Sequence, residues 1–260
     1  MKTELFISLI FGHLLSDFVL QSSKQVKNKN NINTLAYHAL TVASVNCFLI
    51  WRITPIWIPV VLFLSHFLVD FTKQKINKKN NKFPFYIFLI DQIIHLAILY
   101  LLAFFFIPNY PKDILWKTIF GPNYFSVLIL LSGFICATYV LSTLIPLILN
   151  PFKRGLQNKS DKESTNSGGF DDGGKLIGIL ERSFIFILLL INEPSGIGFL
   201  ITAKTLFRFG EITKDNNRAE VEYIIIGTFA SFVLAMILSL ITFWIVSQYS
   251  SAFVFEIITK

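Results

Sequence analysis

The four histidines of this chain, His13, His38, His66 and His95, all lie inside apolar stretches of helical length, and three of them stand four residues from an aspartate. The pairs are His13/Asp17, His66/Asp70 and, reversed, Asp91/His95. Four residues is one helical turn, so each pair projects from one face of its helix at nearly one depth. Neutral imidazoles with carboxylates are the ligand set of zinc or another divalent first-row transition metal, and carboxylates that do not bind the ion orient the imidazoles that do. A catalytic zinc site uses three protein ligands and leaves one position for a water whose pKa falls towards about 7. The expected ligands are His13, His66 and either His95 or Asp91. Asp17 or Asp70 is then a further ligand or the general base, and His38 a fourth ligand or an oxyanion stabiliser.

The elements that must hold these groups are membrane helices. Of 260 residues, 53% are hydrophobic and 28 are Phe, the composition of a polytopic membrane protein rather than a soluble domain. Apolar runs near 3–22, 34–52, 55–72, 84–107, 124–149, 174–191, 196–211 and 221–249 are each long enough, or nearly so, to cross roughly 30 Å of hydrocarbon. The expected fold class is therefore all-α, a polytopic transmembrane bundle of seven to eight helices. The runs 174–191 and 196–211 are short and charged, and fit a re-entrant hairpin or a buried pair as well as two spans.

Lys and Arg stay preferentially on the cytoplasmic side. One set of alternating connections carries Lys24, Lys27 and Lys29, then Lys73 to Lys82, then Lys153 to Lys175, then Lys204 to Arg218; the opposite set carries Lys2, Arg52, Lys112, Lys117 and Lys260. The asymmetry predicts both termini outside and the basic loops in the cytoplasm of an inner-membrane protein. It also explains the net charge of +7 without a nucleic-acid partner, and it suits anionic lipid headgroups. Counting from the cytoplasmic ends at about 1.5 Å per residue puts His13 roughly 13 Å deep and Asp17 roughly 7 Å, with Gln21 on the same stripe at the surface. His38, His66, Asp70, Asp91 and His95 fall in the same leaflet, although their helices run in opposite directions. That agreement predicts one shared site.

Organisation beyond the site is simple. The chain is expected to divide into an N-terminal four-helix membrane domain, 1–122, and C-terminal membrane helices, 123–260, the latter containing a polar cytoplasmic linker at 150–174. The first span carries His13, Asp17 and Gln21 and lacks a small-residue cleavage site, so it is expected to be retained rather than removed as a signal peptide. Cys47 and Cys136 read as small apolar residues inside helices. In the second half, an antiparallel hairpin about Asn192 to Ser195 would bring Glu181 opposite Lys204 or Arg208. Glu181 is then an ion-pair partner or a further catalytic carboxylate, and Arg182, Lys204 and Arg208, with Gln21, could hold a phosphate or carboxylate. The glycines around Asp171 and Asp172 precede a helix, where Asp172 acts more simply as a cap than as part of a phosphate loop.

The segments His-Leu-Leu-Ser-Asp-Phe-Val-Leu-Gln at 13–21, His38, His66 with Asp70, and Asp-Gln-Ile-Ile-His-Leu at 91–96 resemble the bacterial membrane-protein family known as domain of unknown function 3307. Residues 174–182, 202–209 and 222–228 resemble the extension that longer members carry. The resemblance implies a fold and a membrane location, not an activity. In style alone, the His/Asp helices are also similar to membrane-bound metal-dependent hydrolases.

These features predict a metal-dependent membrane hydrolase or transferase that opens to the cytoplasm, binds zinc or a similar divalent ion, and acts on an anionic substrate such as a lipid headgroup or nucleotide. A nucleophilic serine is not favoured, since Ser16 and Ser65 are merely adjacent to the motif residues. An ion- or proton-coupled transporter would use the same groups as a relay, but its polar trail into the other leaflet is thin, mainly Ser8, Asn46 and Thr54. A non-catalytic sensor or scaffold would keep the His/Asp network for structure alone. The chain could also be a homo-oligomer.

Overall fold

The computed structural model describes residues 2–22, 25–26, 31–51, 56–79, 83–107, 115–157, 173–212 and 218–250. Its regular elements are all helical, as the composition predicts. They divide into two compact units, Met1–Ile135 and Cys136–Lys260. The polar centre of the connection at 158–172, with Gly168, Gly169, Asp171 and Asp172, lies outside the described residues, as does the loop holding Lys112 and Asp113.

The first unit contains α1 (Lys2–Leu14), which continues into a π-helical segment π1 (Leu15–Val19), then α2 (Ile32–Leu49), α3 (Trp57–Lys79) and α4 (Pro84–Leu101) with its own π segment π2 (Leu102–Phe106). A short α5 (Leu115–Phe120) and α6 (Tyr124–Ile135) complete it. Local chemistry sets several of the ends. Asn31 caps α2, its side chain accepting from the Asn33 N–H at 2.9 Å. Pro84 starts α4, where its missing N–H would have had no partner in any case. Trp51, just past α2, adopts a left-handed φ of 48°. That conformation is unfavourable for a bulky residue, and packing offsets it: Trp51 meets Trp116 at 5.1 Å, and Trp116 Nε1 donates to the Phe48 carbonyl at the frayed helix end.

Helix α1 is the hub, packing on α2, α4 and α6, while α3 lies between α2 and α4. Its approach to α2 is close. A Cβ on Gly12 would stand 2.5 Å from the Asn46 side-chain oxygen, and Asn46 is fully buried. His13, the next residue, inherits this spacing.

The second unit contains π3 (Cys136–Val140), α7 (Leu141–Gln157), α8 (Gly173–Leu190), α9 (Ser195–Ile212) and α10 (Arg218–Tyr249). Its core joins Leu141, Ile145 and Leu149 of α7 to Ile185 of α8, Ile197 of α9, and Phe232 and Ala235 of α10. The predicted α8–α9 hairpin forms. Asn192 takes φ 58°, and the Glu193 N–H reaches back to the Leu188 carbonyl at 2.8 Å, which closes α8.

Among the described residues, three helical stretches are long and apolar enough to cross a membrane: Pro84–Phe106, Tyr124–Pro151 and Val221–Tyr249. They mark the chain as a membrane protein, with fewer clear spans than the seven to eight expected. The difference has a physical source. Among the helices that carry the predicted site, α4 is one of these three, whereas α1 with π1 is short and α3 is diluted by His66, Asp70 and its terminal lysines.

Gly12→Ala should push α1 off α2 and cost about 1–3 kcal/mol, read as a lowered thermal midpoint of the detergent-purified chain. An unchanged midpoint would show that Asn46 yields without strain.

Candidate functional site: a buried His/Asp cluster in the first unit

Antiparallel packing brings the end of α1 with π1, the start of α2, the later half of α3 and the first half of α4 to one level. All seven predicted residues meet there. His13, His38, His66, His95, Asp70 and Asp91 are each at most 3% exposed, and the Asp17 side chain is 9% exposed. Burial this complete leaves every charge dependent on its immediate neighbours.

The tightest arrangement is a triangle. Asp17 Oδ1 lies 3.3 Å from His38 Nε2 and 3.3 Å from His66 Nε2, and the two nitrogens are 3.1 Å apart. A tetrahedral ion with bonds of about 2.0–2.1 Å separates its ligand atoms by roughly 3.3 Å. A second group, His13, His66 and His95, surrounds a cavity of about 10 Å³, room for one atom-sized occupant. A third joins Asp70, Asp91 and His95. His66 and His95 are shared, and their rings stack at 4.3 Å, so the three groups form one continuous cluster.

Local backbone geometry explains why Asp17 turns away from His13. The two belong to one i,i+4 pair, but their closest atoms are 3.9 Å apart. Between them the helix widens into π1, which shifts the register by a fraction of a turn and aims the carboxylate at α2 and α3. Asp91 is also committed elsewhere. Its Oδ2 accepts from Lys73 Nζ at 2.6 Å and from Gln92 Nε2 at 2.9 Å, which neutralises the carboxylate and makes Asp91 a weaker candidate ligand than Asp17. Asp70 stands 3.9 Å from His38 Nε2 and 3.8 Å from His95 Nε2. Three polar atoms of the cluster, Asp17 Oδ1, Asp91 Oδ1 and His95 Nε2, are shielded from solvent without a hydrogen-bond partner. Orphaned buried acceptors on this scale call for a cation or a proton.

Gln92 and Lys73 were not anticipated. Gln92 Oε1 lies 3.4 Å from His13 Nε2, so its amide bridges two members of the cluster. Both were legible in principle, since Gln92 follows Asp91 and Lys73 stands one turn after Asp70. Ser16 and Ser65 donate to the carbonyls of Gly12 and Leu62 in their own helices. Gln21 lies just beyond π1, with its Nε2 shielded and unpartnered.

The other candidates belong to the second unit. Glu181 pairs with Lys204, Nζ to Oε2 2.5 Å. Arg182 is buried. Arg208 lies on α9, but its side chain is outside the described residues.

Lys73→Met should destabilise the chain by about 3 kcal/mol, because it strands the Asp91 carboxylate. Lys73→Met with Asp91→Asn should recover most of that loss in a double-mutant cycle on the thermal midpoint. Equal losses in single and double variants would mean that the pair carries no coupling.

No curated protein and no solved structure matches the chain. Residues 5–119 match the model of the family described as "Protein of unknown function (DUF3307)". The match takes in π1 and α1 through α4 apart from the first residues of α1, and hence every member of the cluster. That stretch of the chain is thus similar to the DUF3307 family.

Proposed function

We propose that the first unit is a membrane-embedded metal centre in which Asp17, His38 and His66 hold a divalent transition ion, zinc fitting best, and that it serves a hydrolase or transferase acting on an anionic substrate. The observation that carries this reading is the ligand triangle, whose edges of 3.1, 3.3 and 3.3 Å suit one small ion. The orphaned Asp17 Oδ1 supports it. A bound ion of this kind supplies an activated water at neutral pH. The chain's own residues have the remaining tasks. Asp70, near both His38 and His95, steadies the imidazoles or accepts a proton. His13 and His95 line the small cavity and would hold an incoming group there, and Gln92 fixes His13.

We further infer a multi-pass arrangement in the inner membrane, with both termini outside and the cluster near the cytoplasmic surface. Apolar side chains exposed on α2 and α3, among them Leu40, Phe48, Leu64 and Leu68, support placing these helices against lipid as well. The flanking lysines of α3 support the cytoplasmic side.

A second reading follows from one observation. From Asp17 through His38 and His66, whose ring stacks on His95, to Asp91 and Lys73, ionisable groups follow one another without a break, the kind of polar trail that a proton-coupled transporter would need.

Metal analysis of the purified full chain separates the two. The metal reading expects near-stoichiometric zinc, manganese or iron, falling at least tenfold in Asp17→Asn and in His38→Ala while Lys73→Met retains it. Absence of metal after attempted reconstitution, or equal content in all variants, would move the weight to proton handling.

A further inference from the structure

The second unit buries a cation that makes no salt bridge among the described residues. Arg182 on α8 is 4% exposed. Its guanidinium donates to the Ser231 hydroxyl at 3.1 Å, to the Thr138 carbonyl at 3.0 Å and to the Ser142 hydroxyl, all neutral acceptors, and its Nε has no partner. The adjacent carboxylate, Glu181, is turned to Lys204 instead. A guanidinium does not shed its proton, and burying one without an anion costs several kcal/mol. Gly178, one turn earlier, clears the space that the side chain occupies, for a Cβ there would stand 2.9 Å from Nη1.

Arg182 lines a cleft of about 460 Å³ formed by α7, α8 and α10 with Lys204 of α9. Among the described residues at the cleft, Lys175, Arg182 and Lys204 stand against Glu181, while Ile145, Leu149 and Ile224 supply apolar walls. A phosphate, which carries up to two charges, matches that excess better than a carboxylate, and the guanidinium fork suits its oxygens. We infer that the cleft around Arg182 is a binding site for a phosphate group, carried by an anionic lipid or free in solution. The site belongs to the second unit, and the inference does not depend on the activity of the His/Asp centre.

Three probes distinguish the sources: inorganic phosphate, phosphatidic acid in mixed micelles, and diacylglycerol as the phosphate-free control, each read as a thermal shift of the full chain. The expected result is a stabilising shift from phosphatidic acid, from phosphate or from both, with none from diacylglycerol. Response to phosphatidic acid alone assigns the lipid; response to both assigns the phosphate group itself. Arg182→Met should abolish the shift. Gly178→Ala, which favours helix and so preserves the fold, should displace the guanidinium and weaken phosphate affinity about tenfold, and it keeps the test decisive if Arg182→Met does not fold. No shift with either phosphate probe, equal shifts with diacylglycerol, or unaltered affinity in Gly178→Ala would overturn the inference.

Discussion

Burying ionisable groups in an apolar bundle is the constraint that organises this molecule. Asp17, Asp70 and Asp91 bring negative charge to a level where exposure is a few per cent, and Lys73 returns part of it through Asp91. Protons on the imidazoles or a bound cation must supply more, because isolated charges in such surroundings are too costly to persist. The helices are arranged around that need. α1 approaches α2 closely through Gly12, π1 redirects Asp17, and the alternation of α1 through α4 lets residues far apart in sequence share one depth.

The same constraint acts differently in the second unit. Glu181 and Lys204 satisfy each other, which closes the α8–α9 hairpin electrostatically. Arg182, beside them in sequence, is enclosed by hydroxyls and a carbonyl. Adjacent residues on one helix thus separate into a self-contained ion pair and a cation set among neutral groups, because successive positions on a helix face different neighbours.

Much of the site was legible in the sequence because polar residues in apolar helices are rare enough to count. The four-residue spacing of His66 and Asp70, and the matching depths across antiparallel helices, predicted that the groups would meet. The triangle was not predictable in the same way. A regular α-helix keeps His13 and Asp17 on one face, and only the π segment at Leu15–Val19 turns Asp17 towards His38 and His66. No residue type marks that segment. Lys73 was legible as a topological charge, but its reach to Asp91 on the next helix depends on the α3–α4 packing. The number of spans was overcounted for a related reason: polar site residues and charged ends shorten the apolar part of α1 and α3.

The most direct measurement is X-ray absorption at the zinc edge of the zinc-loaded full chain in detergent. Coordination by Asp17, His38 and His66 requires two imidazole nitrogens and carboxylate oxygen at about 2.0–2.1 Å with no sulfur. A shell without imidazole scattering, or one containing sulfur from Cys47 or Cys136, would contradict a metal centre built on the His/Asp cluster.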